Sequence, residues 1–267
     1  MRGIINKYIF YLLFTFPLSL HSQILNIDRE GRDDSTFKSW MINGSFSLSS
    51  DKQKNNVLDV STNIELNKNL RNNYSFIGIV RNDAVYYGKS SIQNEGQMQL
   101  RFRDLDKRKY SYEGYLQYQW NGAWGMEYRY VVGSNFRMNF FEEKKSDLYI
   151  GLGVFREWER WNWTGVNKVT IPDNPPLVNV DIYRLNTYSK YSIKLTDQVD
   201  ISAISYIQLP LNQRFLYPRW YFESNLYFQA TKHLNFIIHW DHIFDSNRYV
   251  PIDKFYYTFS TGIQLSF

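Results

Sequence analysis

Apolar side chains recur at every second position, segment after segment, along most of this chain. Between residues 255 and 267, Phe255, Tyr257, Phe259, Thr261, Ile263, Leu265 and Phe267 share one parity. Tyr256, Thr258, Ser260, Gly262, Gln264 and Ser266 share the other. A strand sends successive side chains to opposite faces, so such a segment has one greasy side and one small, polar side. The pattern repeats at Leu58-Val60-Thr62-Ile64-Leu66, at Met98-Leu100-Phe102, at Leu148-Ile150-Leu152-Val154 and at Leu234-Phe236-Ile238-Trp240. About twelve such segments can be counted, each of roughly ten residues, which is what a tilted membrane strand requires.

The connections between segments give a second constraint. Residues 68–71, 104–108, 142–146, 196–198 and 231–233 read as short polar turns. Residues 51–56, 83–94, 158–178, 210–219 and 245–254 read as longer connections, with 121–123 a short exception among them. Turns at one end and loops at the other are the signature of an up-and-down barrel. A β-sandwich has no reason to alternate in this way, nor a second sheet to cover so many apolar faces. The expected fold is therefore all-β: a transmembrane antiparallel up-and-down β-barrel of about 12 strands over residues 40–267.

Composition agrees with that reading. Aromatic residues make up 18% of the chain, with 22 Tyr, 19 Phe and 8 Trp. Barrels place such amphipathic rings in girdles at the two membrane interfaces. The mean hydropathy of −0.48 looks soluble, but a barrel also averages low because every second residue faces the lumen. There is no cysteine, which removes thiolate metal sites and thiol nucleophiles. Residues 1–22 are expected to be a signal peptide: Arg2 and Lys7 precede an apolar run too short to span a bilayer. Residues 23–39, charged and unpatterned, are expected to form a periplasmic arm, with a lumen plug as the alternative. The formal charge of +5 falls to +5 − 2 = +3 without Arg2 and Lys7. That balance, without a basic stripe, argues against nucleic-acid binding.

In this register the interior would carry eight basic residues (Arg81, Arg101, Arg103, Arg129, Arg137, Arg184, Lys190 and Lys194). It would also carry eight acidic ones: Asp59, Glu65, Glu113, Glu127, Glu157, Asp200, Glu223 and Asp241. Such a lining either sets selectivity in a narrow pore or pairs with itself and fills the lumen, and balanced signs favour pairing. His239 and Asp241 share a face, but two ligands do not make a metal site. Trp158, Trp161 and Trp163 could form a loop surface that stacks on sugars or on a protein partner, or an interfacial belt. Ser224 and His242 both face outward by parity, the minimum an outer-membrane lipid hydrolase would need. Gly151 and Gly153 are expected to make room for bulky neighbours in the lumen. No catalytic, metal or cofactor residues are expected.

Two stretches carry a resemblance to known proteins. The terminal strand ending on Phe267 resembles the closing strand of bacterial outer-membrane barrels. There the last aromatic is part of the signal read by the insertion machinery. The Gly151-Leu-Gly153 strand followed by Glu157, together with the hairpin from Phe244 to Phe255 that runs on into Phe267, resembles a family of salt-induced outer-membrane proteins of unknown function. That resemblance implies a barrel in the cell outer membrane, in contact with its lipid and associated with osmotic or salt stress. It supplies no site residues. A narrow or plugged pore is the first functional expectation, and a scaffold for another envelope protein is the second.

Overall fold

The computed structural model describes residues 40–52, 55–70, 74–104, 109–143, 145–167, 171–212, 215–231 and 234–265. The expected signal peptide, the expected arm and Phe267 lie outside the described residues. Twelve strands form a single sheet in sequence order. They are β1 (Trp40–Lys52), β2 (Asn56–Leu70), β3 (Tyr74–Tyr87), β4 (Ser90–Asp104), β5 (Tyr110–Asn121) and β6 (Met126–Glu142). β7 (Ser146–Trp161), β8 (Val178–Lys194), β9 (Val199–Pro210), β10 (Arg219–Gln229), β11 (Leu234–Asp245) and β12 (Phe255–Leu265) complete it. Each strand pairs antiparallel with the next. No helix among the described residues is long and apolar enough to cross a membrane.

The sheet curls on itself. The ring of Tyr256 on β12 stacks at 4.4 Å on Trp124, which lies between β5 and β6. Tyr188 on β8 donates a hydrogen bond to Glu113 on β5. Among the described residues β1 and β12 are the two ends of the ladder, with no pairing between them. The described side chains of β1 are exposed.

The strands run 11 to 17 residues, longer than the sequence pattern predicts. The difference lies at the long-connection end. Residues 83–94 are not a loop. Polar residues that suggested one are strand residues with partners, such as Asp83, which accepts a hydrogen bond of 2.6 Å from Ser61. The chain turns at Gly88-Lys89, where Gly88 sits at φ +62, a conformation glycine reaches at little cost. Likewise β7 continues to Trp161, which leaves 162–177 as the long connection.

Glycines shape the interior where large rings cross it. Gly133 pairs with Tyr115 on one side and Phe155 on the other, and a Cβ there would meet both at 2.6 Å. Gly151 pairs with Tyr188, whose ring occupies the space a side chain would need. A Cβ on Gly153 would meet Asn135. Gly151 and Gly153 thus make room as their strand pattern predicts.

Candidate functional site

The concave face is polar in composition and filled by side chains. It is arranged in layers along the strands. Nearest the short turns, Arg103 pairs with Glu113 directly across the ladder at 2.8 Å. Arg137 approaches the same carboxylate at 3.5 Å and stacks on the Tyr149 ring at 3.8 Å. Arg101 is buried beside them. On the opposite wall, Tyr221 and Asn225 donate to Glu223 at 2.5 and 3.0 Å. His239 bridges Asn225 and Asp241 at 2.7 and 3.0 Å. No group of three metal-ligating side chains occurs among the described residues.

Above this lies an apolar and aromatic layer. Tyr115, Val131, Phe155, Tyr188, Ile204, Tyr206, Tyr221 and Ile243 are all buried and packed together. Tyr206 packs between Tyr188 and Tyr221 with tilted rings, centroids 5.4 and 6.0 Å apart. Rings of this size meeting across the interior bury both surfaces from water.

Toward the long-connection end lies the densest ion cluster. Both Oε atoms of Glu157 are used. Oε1 accepts from Arg184 Nε, and Oε2 accepts from Arg129 at 2.7 Å and Arg219 at 3.2 Å. Glu159 accepts from Arg219 at 3.2 Å and from the Trp161 indole at 2.8 Å, and pairs with Arg129 at 3.2 Å. Arg219 also holds Asp245 at 3.0 Å. All of these side chains are almost wholly buried. Charges in such a place persist only when paired and hydrogen-bonded.

A cap closes over the cluster. Met126, Trp161, Val166 and Val250 form a second apolar core, with Trp124, Trp163, Ile171 and Tyr249 against it. It draws on the 162–177 connection, the β11–β12 connection and the β5–β6 turn. Tyr249 accepts from Arg184 at 3.1 Å, and burial pushes its phenol well above the usual tyrosine range. Burial also draws the Arg248 guanidinium down from its ordinary value.

Most residues predicted to face inward are placed on the concave face, but Glu127 differs. Glu127 lies on the outer side, exposed, accepting from Asn162 and pairing with Arg160 at 3.5 Å. A bulge between Met126 and Tyr128 reverses the parity and turns Met126 inward. Lys190 and Lys194 keep the parity of the buried Arg184, Asn186 and Tyr188, with Lys190 half-buried and Lys194 exposed at the turn end of β8. Nor do the three tryptophans form one loop surface. Trp158 points outward under Arg156 at 4.7 Å. Trp161 is buried in the cap, and Trp163 donates to Pro176 at 2.8 Å. The strand simply continues through 158–161, and alternation separates its neighbours.

Glu159, Arg219 and Asp245 complete the buried ion network, yet the sequence pattern places Glu159 in a connection and the other two at the margins of their segments. One signal was there: Glu157, Glu159 and Trp161 share a parity, as do Asp241, Ile243 and Asp245.

On the outer face His242 is enclosed by Trp220, Phe222, Trp240 and Phe255, with centroids 4.9–5.7 Å away. Its Nδ1 makes no hydrogen bond. Ser224 stands opposite Trp240, not His242, so no serine–histidine pair is assembled there.

No protein-family profile matches the chain, and no curated protein matches it. Among solved structures it is similar to one described as "NanC porin structure in rhombohedral crystal form". The identity is 10%, the coverage 85% of this chain and 99% of that one, and the TM-score 0.45. A likeness of that degree carries no functional argument.

Proposed function

We propose that the protein is an outer-membrane β-barrel of a Gram-negative-type envelope, a narrow pore whose lumen is plugged by its own side chains. The supporting observation is an inversion of the usual distribution. The concave face holds the buried arginines and carboxylates, while the convex face exposes Ile150, Leu152, Val154, Leu116, Val132 and Ile238. Water would penalise such a surface, and lipid accepts it. Aromatic rings flank it on both sides: Tyr130, Trp158 and Trp220 toward the long connections, and Tyr110, Phe136 and Phe228 toward the short turns. The nine residues from Trp220 to Phe228, eight steps of ~3.3 Å, span about 20 Å along the barrel axis at a tilt of about 40°, near the height of an apolar band. The association with salt or osmotic stress rests on the family resemblance alone.

A second reading is an interaction scaffold for another envelope component. The packed cap favours it, because an ordered cap over a filled lumen suits recognition better than flow. Single-channel recording on refolded protein separates the two. Rare, small openings support the plugged pore, and silence across voltages and salts would leave the scaffold. A folded band that migrates identically before and after boiling would overturn the barrel itself.

A further inference from the structure

The ion cluster beneath the cap has one more guanidinium than its carboxylates serve. Arg129, Arg184, Arg219 and Arg248 meet Glu157, Glu159 and Asp245, which gives 4 − 3 = +1. Every carboxylate oxygen is already engaged. Glu157 is held by Arg184, Arg129 and Arg219. Glu159 is held by Arg129, Arg219 and the Trp161 indole. Asp245 accepts from Arg219 on Oδ2 and from the Asn247 amide on Oδ1.

Arg248 is the one left over. Among the described residues it forms no ion pair, and its buried Nε and Nη2 make no hydrogen bond. Trp124 and Tyr256 hold it, with its Cζ 4.9 and 5.3 Å from their centroids. A ring attracts the cation electrostatically but gives its in-plane N–H donors no acceptor lone pair. A small, partly open cavity lies beside it, lined by Arg129, Arg219, Arg248, Glu159, Trp124 and Trp161.

We propose that this cavity binds one small monovalent anion of halide size. Counted with Glu157 and Asp245, which pair with these same guanidiniums, and with Arg184, the surroundings still carry one excess positive charge, so the potential inside is positive. Water in that position would serve the N–H donors and leave the charge uncompensated, whereas a halide serves both. Sulfate and phosphate exceed the space. The site stands whether or not the barrel conducts.

Two tryptophans on the wall make occupancy readable. Refolded protein would be titrated with sodium chloride against sodium gluconate at equal ionic strength, following the temperature at which the folded form converts. The expected result is a saturable rise of a few degrees with chloride or bromide and none with sulfate. In parallel, bromide should quench tryptophan fluorescence with a saturable component that chloride displaces. Arg248→Met should abolish the chloride response, and Trp124→Phe should shrink the saturable component. Identical melting in chloride and gluconate, or an Arg248→Met variant that still responds to chloride, would overturn the site. If that variant does not fold, the wild-type competition decides: linear bromide quenching that chloride leaves unchanged overturns the proposal equally.

Discussion

Glu157 and Arg219 are 62 residues apart in the chain, yet Arg219 Nη1 donates to Glu157 Oε2 at 3.2 Å. They belong to β7 and β10, strands that are not neighbours in the sheet. The contact exists only because the sheet curls and brings concave-face side chains together across the interior. Arg129 from β6 and Arg184 from β8 converge on the same carboxylate. One glutamate therefore ties four strands together, and its removal tests the whole cluster.

Glu157→Gln should destabilise the folded form by about 3–5 kcal/mol, because three buried guanidiniums lose their shared counter-charge. The folded-to-unfolded gel transition in urea measures this. Glu127→Gln is the control on the outer side, where the Arg160 pair is exposed, and should change stability by less than about 0.5 kcal/mol. Equal losses for the two variants would mean that the cluster is not buried as described.

Glycine positions make a second contrast. Gly151→Ala places a methyl group where the Tyr188 ring lies and should cost about 1–3 kcal/mol through overpacking. Gly114→Ala meets nothing within 4 Å and should be close to neutral. In the double variant Gly151→Ala/Tyr188→Ala the two losses should sum to more than the combined effect, since the clash disappears with the ring. Strict additivity would contradict the packing.

The class of fold, the strand count and the parity of most interior charges could be read from period-two alternation, because that signal is local and repeats twelve times. Glu127 was misread because a bulge adds one residue to the count, and nothing in Met126-Glu127-Tyr128 announces it. Residues 83–94 were misread because Asn82, Asp83 and Asn94 resemble loop residues when their partners are unknown. One such partner, Ser61 for Asp83, lies on the adjacent strand. The convergence on Glu157 could not be read at all. It depends on how far the sheet curls, which no single strand encodes.

The Tyr–Phe–Ile layer predicts how the lumen could be opened. Phe155 and Tyr206 are large, buried members of that layer. Phe155→Ala/Tyr206→Ala should convert a barrel with rare, small openings into one with steady conductance, while keeping its heat-modifiable migration. Conductance unchanged from wild type in a folded double variant would place the obstruction elsewhere.

The convex surface gives the last prediction, which tests membrane placement directly. Trp158 and Trp220 point outward at the level of the upper aromatic row, and Trp240 is exposed at 42% on the same face. Trp161 is exposed by only 2%, inside the cap. In vesicles carrying brominated acyl chains, the bromines should quench the outward indoles and spare the enclosed one. Trp240→Phe and Trp158→Phe should each lower the fraction of fluorescence that brominated lipid quenches. Trp161→Phe should instead raise it, because the remaining emission comes more from exposed rings. Indoles facing lipid and indoles buried in protein are both in apolar surroundings, so emission wavelength alone would not separate them; contact quenching does. Equal quenching of all variants, or none in any, would remove the basis for placing this surface in a bilayer.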